Sequence, residues 1–131
     1  MDLHRIKCDL TIADEKIFNA IVDGSKKYEG RVNKEPYNKI RKGDLILISL
    51  ENTYAKFVIC EVLEVKKYNS IVEMVKDLWK YLIPFAKSED EALKVYKQFY
   101  DVNKEALAIG IRPLIYFDGF RRKSWKKMKK E

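Results

Sequence analysis

The stretch Gly24-Ser25-Lys26-Lys27-Tyr28-Glu29-Gly30-Arg31 places three cations and one carboxylate between two glycines and at the motif's end. If the chain is extended from Lys27 onward, the two-residue period of a strand puts Lys27, Glu29 and Arg31 on one face and Tyr28 and Gly30 on the other. A carboxylate acceptor beside a guanidinium fork can line a pocket that offers both hydrogen-bond senses to a planar polar ligand. The same pair can also be an ion pair on the rim of a sheet, and the spacing alone leaves both readings open. As a ligand site, the candidate residues are Lys26, Lys27, Glu29 and Arg31. As a catalytic site, Lys26 and Glu29 would be the polar pair.

A second cluster lies at the C-terminal end. Arg121, Arg122, Lys123, Lys126, Lys127, Lys129 and Lys130 stand against a single acid, Glu131, and Trp125 sits among them. Of a formal net charge of +7, this tail supplies nearly all. The body of the chain is close to neutral, so total charge is no argument for nucleic-acid binding by the body itself. An aromatic ring within a basic segment suits base stacking combined with phosphate neutralisation, and Arg121, Arg122, Lys123, Trp125, Lys126 and Lys127 are the candidate nucleic-acid contacts. A localisation signal or a solvated tail is the alternative. The expected organisation is one domain over 1–118 and a basic tail over 119–131.

The elements that must position the first motif can be read from patterning. His4 to Leu10 reads as an opening strand. Ala13, Ile17, Ala20 and Ile21 recur at helical spacing, predicting a helix over Ile12 to Asp23 with Thr11 as N-cap and Gly24 ending it in the left-handed conformation. Leu45 to Leu50 is a short continuous apolar run, expected as a strand covered on both faces. Ala55 to Lys67 is a long strand, about 40 Å if fully extended at roughly 3.3 Å per residue. In so short a chain such a strand must coil, which suits a small barrel. Ser70 with Glu73 and Ser88 with Glu91 are capping boxes that open two helices. Ala106 to Ile111 alternates small and bulky residues, a strand with one bulky face and one smooth face that something approaches closely. Pro113 bars it from being a central strand much further. Strands at both ends with helices between them make the fold class α+β.

Taken together these features resemble a known family. Gly24, Lys26, Glu29 and Arg31 after a short amphipathic helix, then Lys42-Gly43-Asp44 before an apolar strand, then the long strand ending Val65 to Ser70, then a Ser-x-x-Glu helix ending Tyr96 to Tyr100, and finally Leu107 to Ile111, are similar to the ASCH (activating signal cointegrator homology) domain of the PUA-like group. The resemblance covers about 12–115. It implies a small PUA-like β-barrel with flanking helices, and a cleft beside the first helix, lined by Lys26, Glu29 and Arg31, that binds RNA. Some members of the family cut RNA. Some bacterial members are amidohydrolases on N4-acetylcytidine that use a lysine, a threonine and a glutamate. In this chain the lysine falls on Lys26, the threonine position holds Glu29, and the glutamate falls near Phe85, so the hydroxyl-based route lacks its nucleophile there.

Other classes find little support. His4 is the only histidine, so no histidine pair is available for acid–base ribonuclease chemistry. The two cysteines, Cys8 and Cys60, form no zinc-ligand spacing and are expected as free thiols, and no metal or cofactor is implied. Tyr37, Tyr54, Tyr68, Trp79 and Tyr81 could stack on bases, but such residues pack in cores more often. No apolar run reaches the length of a membrane span, and the start is not a signal peptide, so the expected location is cytoplasmic, or nuclear if the source is eukaryotic. The resulting expectation is an RNA- or nucleotide-binding module, with an RNA-directed hydrolase as the alternative and a protein partner as a third reading.

Overall fold

The computed structural model describes residues 5–119. His4 and the tail candidates Arg121, Arg122, Lys123, Trp125, Lys126 and Lys127 lie outside the described residues. Along the chain come β1 (Ile6–Ile12), α1 (Glu15–Val22), β2 (Tyr28–Val32), β3 (Leu45–Leu50), β4 (Lys56–Tyr68), α2 (Ile71–Leu82), α3 (Glu89–Lys97) and β5 (Ala106–Asp118), with one turn of 3₁₀ helix at Tyr37–Lys39. The α+β class is as expected.

The strands form a single sheet in the order β1-β3-β4-β5-β2. β1 is parallel to β3 and the other neighbours are antiparallel. This sheet is open, which corrects the barrel expectation. β1 and β2 are its two edges and exchange no ladder bonds. A side chain spans the seam instead: the Arg31 guanidinium donates to the carbonyl of Thr11 at 3.2 Å.

The long strand coils as its length required. β4 pairs with β5 from Lys56 to Tyr68, and the register shifts twice, between Ile59 and Cys60 and between Val62 and Glu64. Each irregularity adds local twist and bends the ribbon. β5 runs seven residues beyond Ile111, through Pro113. Its pairing with β2 stops at Gly110, so Pro113 occupies a stretch bonded on one side only, where its missing N–H is tolerated. Leu114, Ile115, Tyr116 and Phe117 on that free edge are all exposed.

Two apolar cores share the sheet. One lies in its concave face, where Leu10, Ile12, Ile46, Ile48, Val58, Val62, Ile109 and Ile111 enclose Phe18 and Ile21 of α1. The other lies on the opposite face of β2 and β5, where Met74, Val75, Leu78 and Tyr96 of α2 and α3 cover Ala106 and Ala108. The alternation of small and bulky residues in β5 therefore has the expected meaning. Both predicted caps form: the Ser70 hydroxyl accepts from the Glu73 amide at 3.0 Å and that of Ser88 from the Glu91 amide at 3.1 Å.

The first helix starts later than predicted. Thr11 pairs with Ser49 as part of β1, and the N-cap is Asp14, whose Oδ1 accepts from the amides of Lys16 at 2.7 Å and Ile17 at 3.2 Å. Gly24 does end the helix, with φ +83°. Cys8 and Cys60 are free, and they align across Ile46 on three successive strands. Two interstrand steps of about 4.8 Å separate their backbones, too far for a disulfide.

Candidate functional site

Two local structures bring the motif together. After Gly24 the chain turns back on α1, with the Lys26 amide donating to the Ala20 carbonyl at 2.9 Å, and then enters β2. In β2, Glu29 lies opposite Ile109 and Arg31 opposite Leu107, so both side chains enter the concave face. Tyr28 and Gly30 point outward to α2 and α3, as the two-residue period requires. Gly30 has no room for a side chain: a Cβ there would sit 2.6 Å from Met74 Cε and 2.7 Å from the Tyr96 hydroxyl.

Lys26, Glu29 and Arg31 form one buried cluster, only 1%, 4% and 9% exposed. Arg31 donates from Nε at 3.0 Å and from Nη2 at 2.8 Å to the same oxygen, Glu29 Oε2. The other carboxylate oxygen faces Lys26 Nζ at 3.3 Å. Lys26 also donates to the Leu82 carbonyl at 2.6 Å. That carbonyl belongs to the last turn of α2, where unpaired oxygens and the negative end of the helix dipole favour a cation. Arg31 Nη1 reaches the Tyr37 hydroxyl at 3.4 Å, and its guanidinium carbon lies 5.3 Å from the centre of the Tyr37 ring.

The ionisation of the cluster follows from its burial and its partners. Burial by itself would raise the Glu29 pKa, but Arg31 and Lys26 outweigh it and hold the carboxyl below its usual range. Burial dominates at Lys26 and lowers its ammonium pKa, with Glu29 opposing. Arg31 is desolvated too, yet Glu29 holds its pKa above the ordinary value. Burial and the negative charge of Glu29 push the Tyr96 phenol well above its normal pKa. The cluster therefore holds two cations against one anion in a dry setting, where exchanged hydrogen bonds are strong.

This cluster forms part of the wall of a cavity of about 380 Å³. The cavity opens at the seam between the two sheet edges, with Thr11 to Asp14 on one side, Glu29 to Arg31 on the other, and Val95 and Tyr96 of α3 with Phe99 and Tyr100 just beyond that helix. Lys27 is not part of it. Its side chain is exposed, while its amide donates to the Tyr81 carbonyl and its carbonyl accepts from Ile111. Of the other aromatics singled out from sequence, Tyr37 touches the cluster, Tyr68 donates to Asp77, Trp79 packs with α2 and α3, and Tyr54 and Tyr81 are exposed. The rings that line the cavity are Tyr96, Phe99 and Tyr100 instead. Tyr96 and Phe99 continue an apolar stripe from Ala92 and Val95 along α3 and just past its end, which by itself indicates only packing. Asp14 and Glu51 also line the cavity, and neither was singled out from sequence.

The arrangement now bears comparison with known proteins. The family model of the ASCH domain matches residues 11–114, a span that contains β1's end, the whole cluster and β5 as far as Leu114. The chain belongs to the ASCH domain family. Among solved structures, the crystal structure of hypothetical protein PH0355 is 32% identical and matches 83% of this chain and 100% of its own, with a TM-score of 0.69. The solution structure of protein PF0455 from Pyrococcus furiosus is 30% identical, with 82% and 97% covered and a TM-score of 0.60. The crystal structure of ASCH from Zymomonas mobilis is 14% identical, with 95% and 80% covered and a TM-score of 0.59, a likeness of fold alone. No curated protein sequence matches. In this ASCH domain the conspicuous motif after α1 is thus a buried ion cluster facing a cavity, not a surface charge patch. No helix among the described residues is long and apolar enough to cross a membrane.

Proposed function

We propose that this ASCH domain binds RNA or a nucleotide by taking a base into the cavity beside α1, with Lys26, Glu29 and Arg31 as its polar floor. The observation that carries this reading is the burial of the three charges at an open cavity rather than on a sheltered rim. A purely structural ion pair in a core gives way without loss to apolar residues and needs no cavity. A cavity of this size with apolar and aromatic walls and a few converging polar groups is the usual form of a small-ligand site. Three aromatic side chains in the lining, Tyr96, Phe99 and Tyr100, suit a flat heterocycle, which unpaired RNA bases present. The basic tail would add phosphate contacts without sequence preference.

The test is titration of the full chain with nucleosides and short single-stranded RNA, followed by calorimetry or fluorescence, using Arg31→Lys as the site variant. Loss of binding by tenfold or more in the variant, with the fold intact by circular dichroism, is the expected result. Equal binding by both proteins would place the ligand elsewhere. The enzyme alternative keeps one supporting observation, the lowered Lys26 pKa beside Glu29. It requires turnover of RNA or of N4-acetylcytidine that Glu29→Gln abolishes.

A further inference from the structure

The hydrogen-bonding capacity that the cavity has left over is unevenly distributed. At the buried floor nearly every donor is already used. Lys26 Nζ serves the Leu82 carbonyl and Glu29, and Arg31 serves Glu29, the Thr11 carbonyl and Tyr37. One N–H of each cation is left. At the exposed mouth the surplus is in acceptors. Asp14 caps α1 through Oδ1 alone, so Oδ2 is open, and the Glu51 carboxylate has no partner among the described residues. The charged groups lining the cavity are Lys26 and Arg31 against Asp14, Glu29 and Glu51, a surplus of one negative charge. The three carboxylates do not converge into a group able to hold a metal ion.

We infer that the cavity takes an uncharged heterocycle bearing an exocyclic amino group, with its acceptor edge on Lys26 and Arg31 and its amino group toward Asp14 and Glu51, and that it excludes phosphate. This rests on the proposed function above and narrows its ligand. A phosphate would meet two cations that share Glu29 and have one N–H each to spare, and it would pass two carboxylates on the way in, a like-charge encounter that costs affinity. A base whose amino group is replaced by a carbonyl would set oxygen against carboxylate oxygen and leave polar groups unpaired. Cytosine and adenine have the required amino group, and uracil does not. A phosphate attached to such a base therefore stays outside the cavity, in solvent or on the basic tail.

Calorimetry with cytidine, adenosine, uridine and cytidine 5′-monophosphate, on the full chain at about 0.5 M salt to screen exposed lysines, decides the matter. Cytidine or adenosine should bind at least tenfold tighter than uridine, and the monophosphate no tighter than cytidine. Glu51→Gln, in an exposed turn, and Asp14→Asn, which still caps the helix, should each shrink the cytidine-to-uridine ratio at least threefold. C-only and U-only RNA hexamers repeat the comparison for a base held within a chain, and the same preference is expected in whichever form binds. A ratio near one in both forms, or a monophosphate tenfold tighter than its nucleoside, overturns the inference while leaving a base-binding cavity. Absence of binding by every nucleoside and hexamer overturns the proposed function and the inference together.

Discussion

The Nη2 of Arg31 donates at once to Glu29 on its own strand and to the carbonyl of Thr11 on β1, so one guanidinium ties together the two edges of an open sheet. Shortening that link has a direct consequence. Arg31→Lys keeps the charge but loses the planar fork, and one ammonium cannot hold both partners in the same geometry. Loss of charge-assisted bonds of this kind costs about 1.5–3 kcal/mol each. Thermal or urea unfolding of the variant should show a loss in that range, and an unchanged midpoint would mean that the seam is held by other groups.

Glu29→Gln leaves two buried cations facing a neutral amide. Breaking a buried ion cluster by removing one member costs about 3–5 kcal/mol. The wild-type carboxyl has its pKa held below the ordinary value, so its contribution is complete above about pH 4.3 and disappears as pH falls through the lower folded value. Urea unfolding of the wild type from pH 7 to pH 3 should therefore show stability falling below about pH 4.3, with a smaller fall in the glutamine variant. Parallel curves for the two proteins would contradict the assigned charge state.

Gly30→Ala forces a methyl group against Met74 and the Tyr96 hydroxyl, and overpacking of that kind costs about 1–3 kcal/mol. The double variant Gly30→Ala with Met74→Ala should recover less than the full loss, because Tyr96 still stands in the way. Complete recovery on unfolding would show that only the methionine is tight.

The Cys60 thiol is buried and its pKa is pushed up to about 12, while Cys8 is half-buried and less perturbed. A thiol reagent at neutral pH should modify Cys8 first, and Cys60 only on unfolding. Simultaneous modification in the native state would show that the sheet opens around β4.

Deleting 121–131 should leave the melting temperature within a few degrees of the full chain, since a run of like charges adds little packing. It should also flatten the dependence of log affinity on log salt for single-stranded RNA by about 0.7 for each phosphate that the tail neutralises. A slope unchanged by the deletion would assign the tail to targeting or solubility.

How much of this is legible in the chain depends on the range of the interactions involved. Ser70 and Ser88 can be read as caps because a cap is settled within four residues. The alternation in β2 puts Glu29 and Arg31 on one face correctly. Thr11 has the side chain of a helix cap, but its pairing with Ser49 extends β1 past it, and that depends on a strand far away in the chain. The same two-residue period groups Lys27 with Glu29 and Arg31, but β2 begins only at Tyr28 and the Lys27 side chain is exposed. The turn after Gly24 sends the Lys26 side chain inward to the end of α2 instead. The open seam between β1 and β2 has no local signal at all. Nor does the arrival of Tyr96, Phe99 and Tyr100 at the cavity, which the packing of α3 decides.

Strand β5 has one further implication, for how the molecule comes apart. Ile109 belongs to the concave core and its neighbour Ala108 to the core beneath α2 and α3. A single backbone is thus the shared wall of both, and neither core can lose that wall without exposing the other. Partial opening that spares one layer is thereby penalised, and the described body should melt as a single cooperative unit. The free edge from Leu114 to Phe117 lies beyond this shared stretch and pairs only with β4, so its amides should exchange with solvent ahead of those at Ala106 to Gly110.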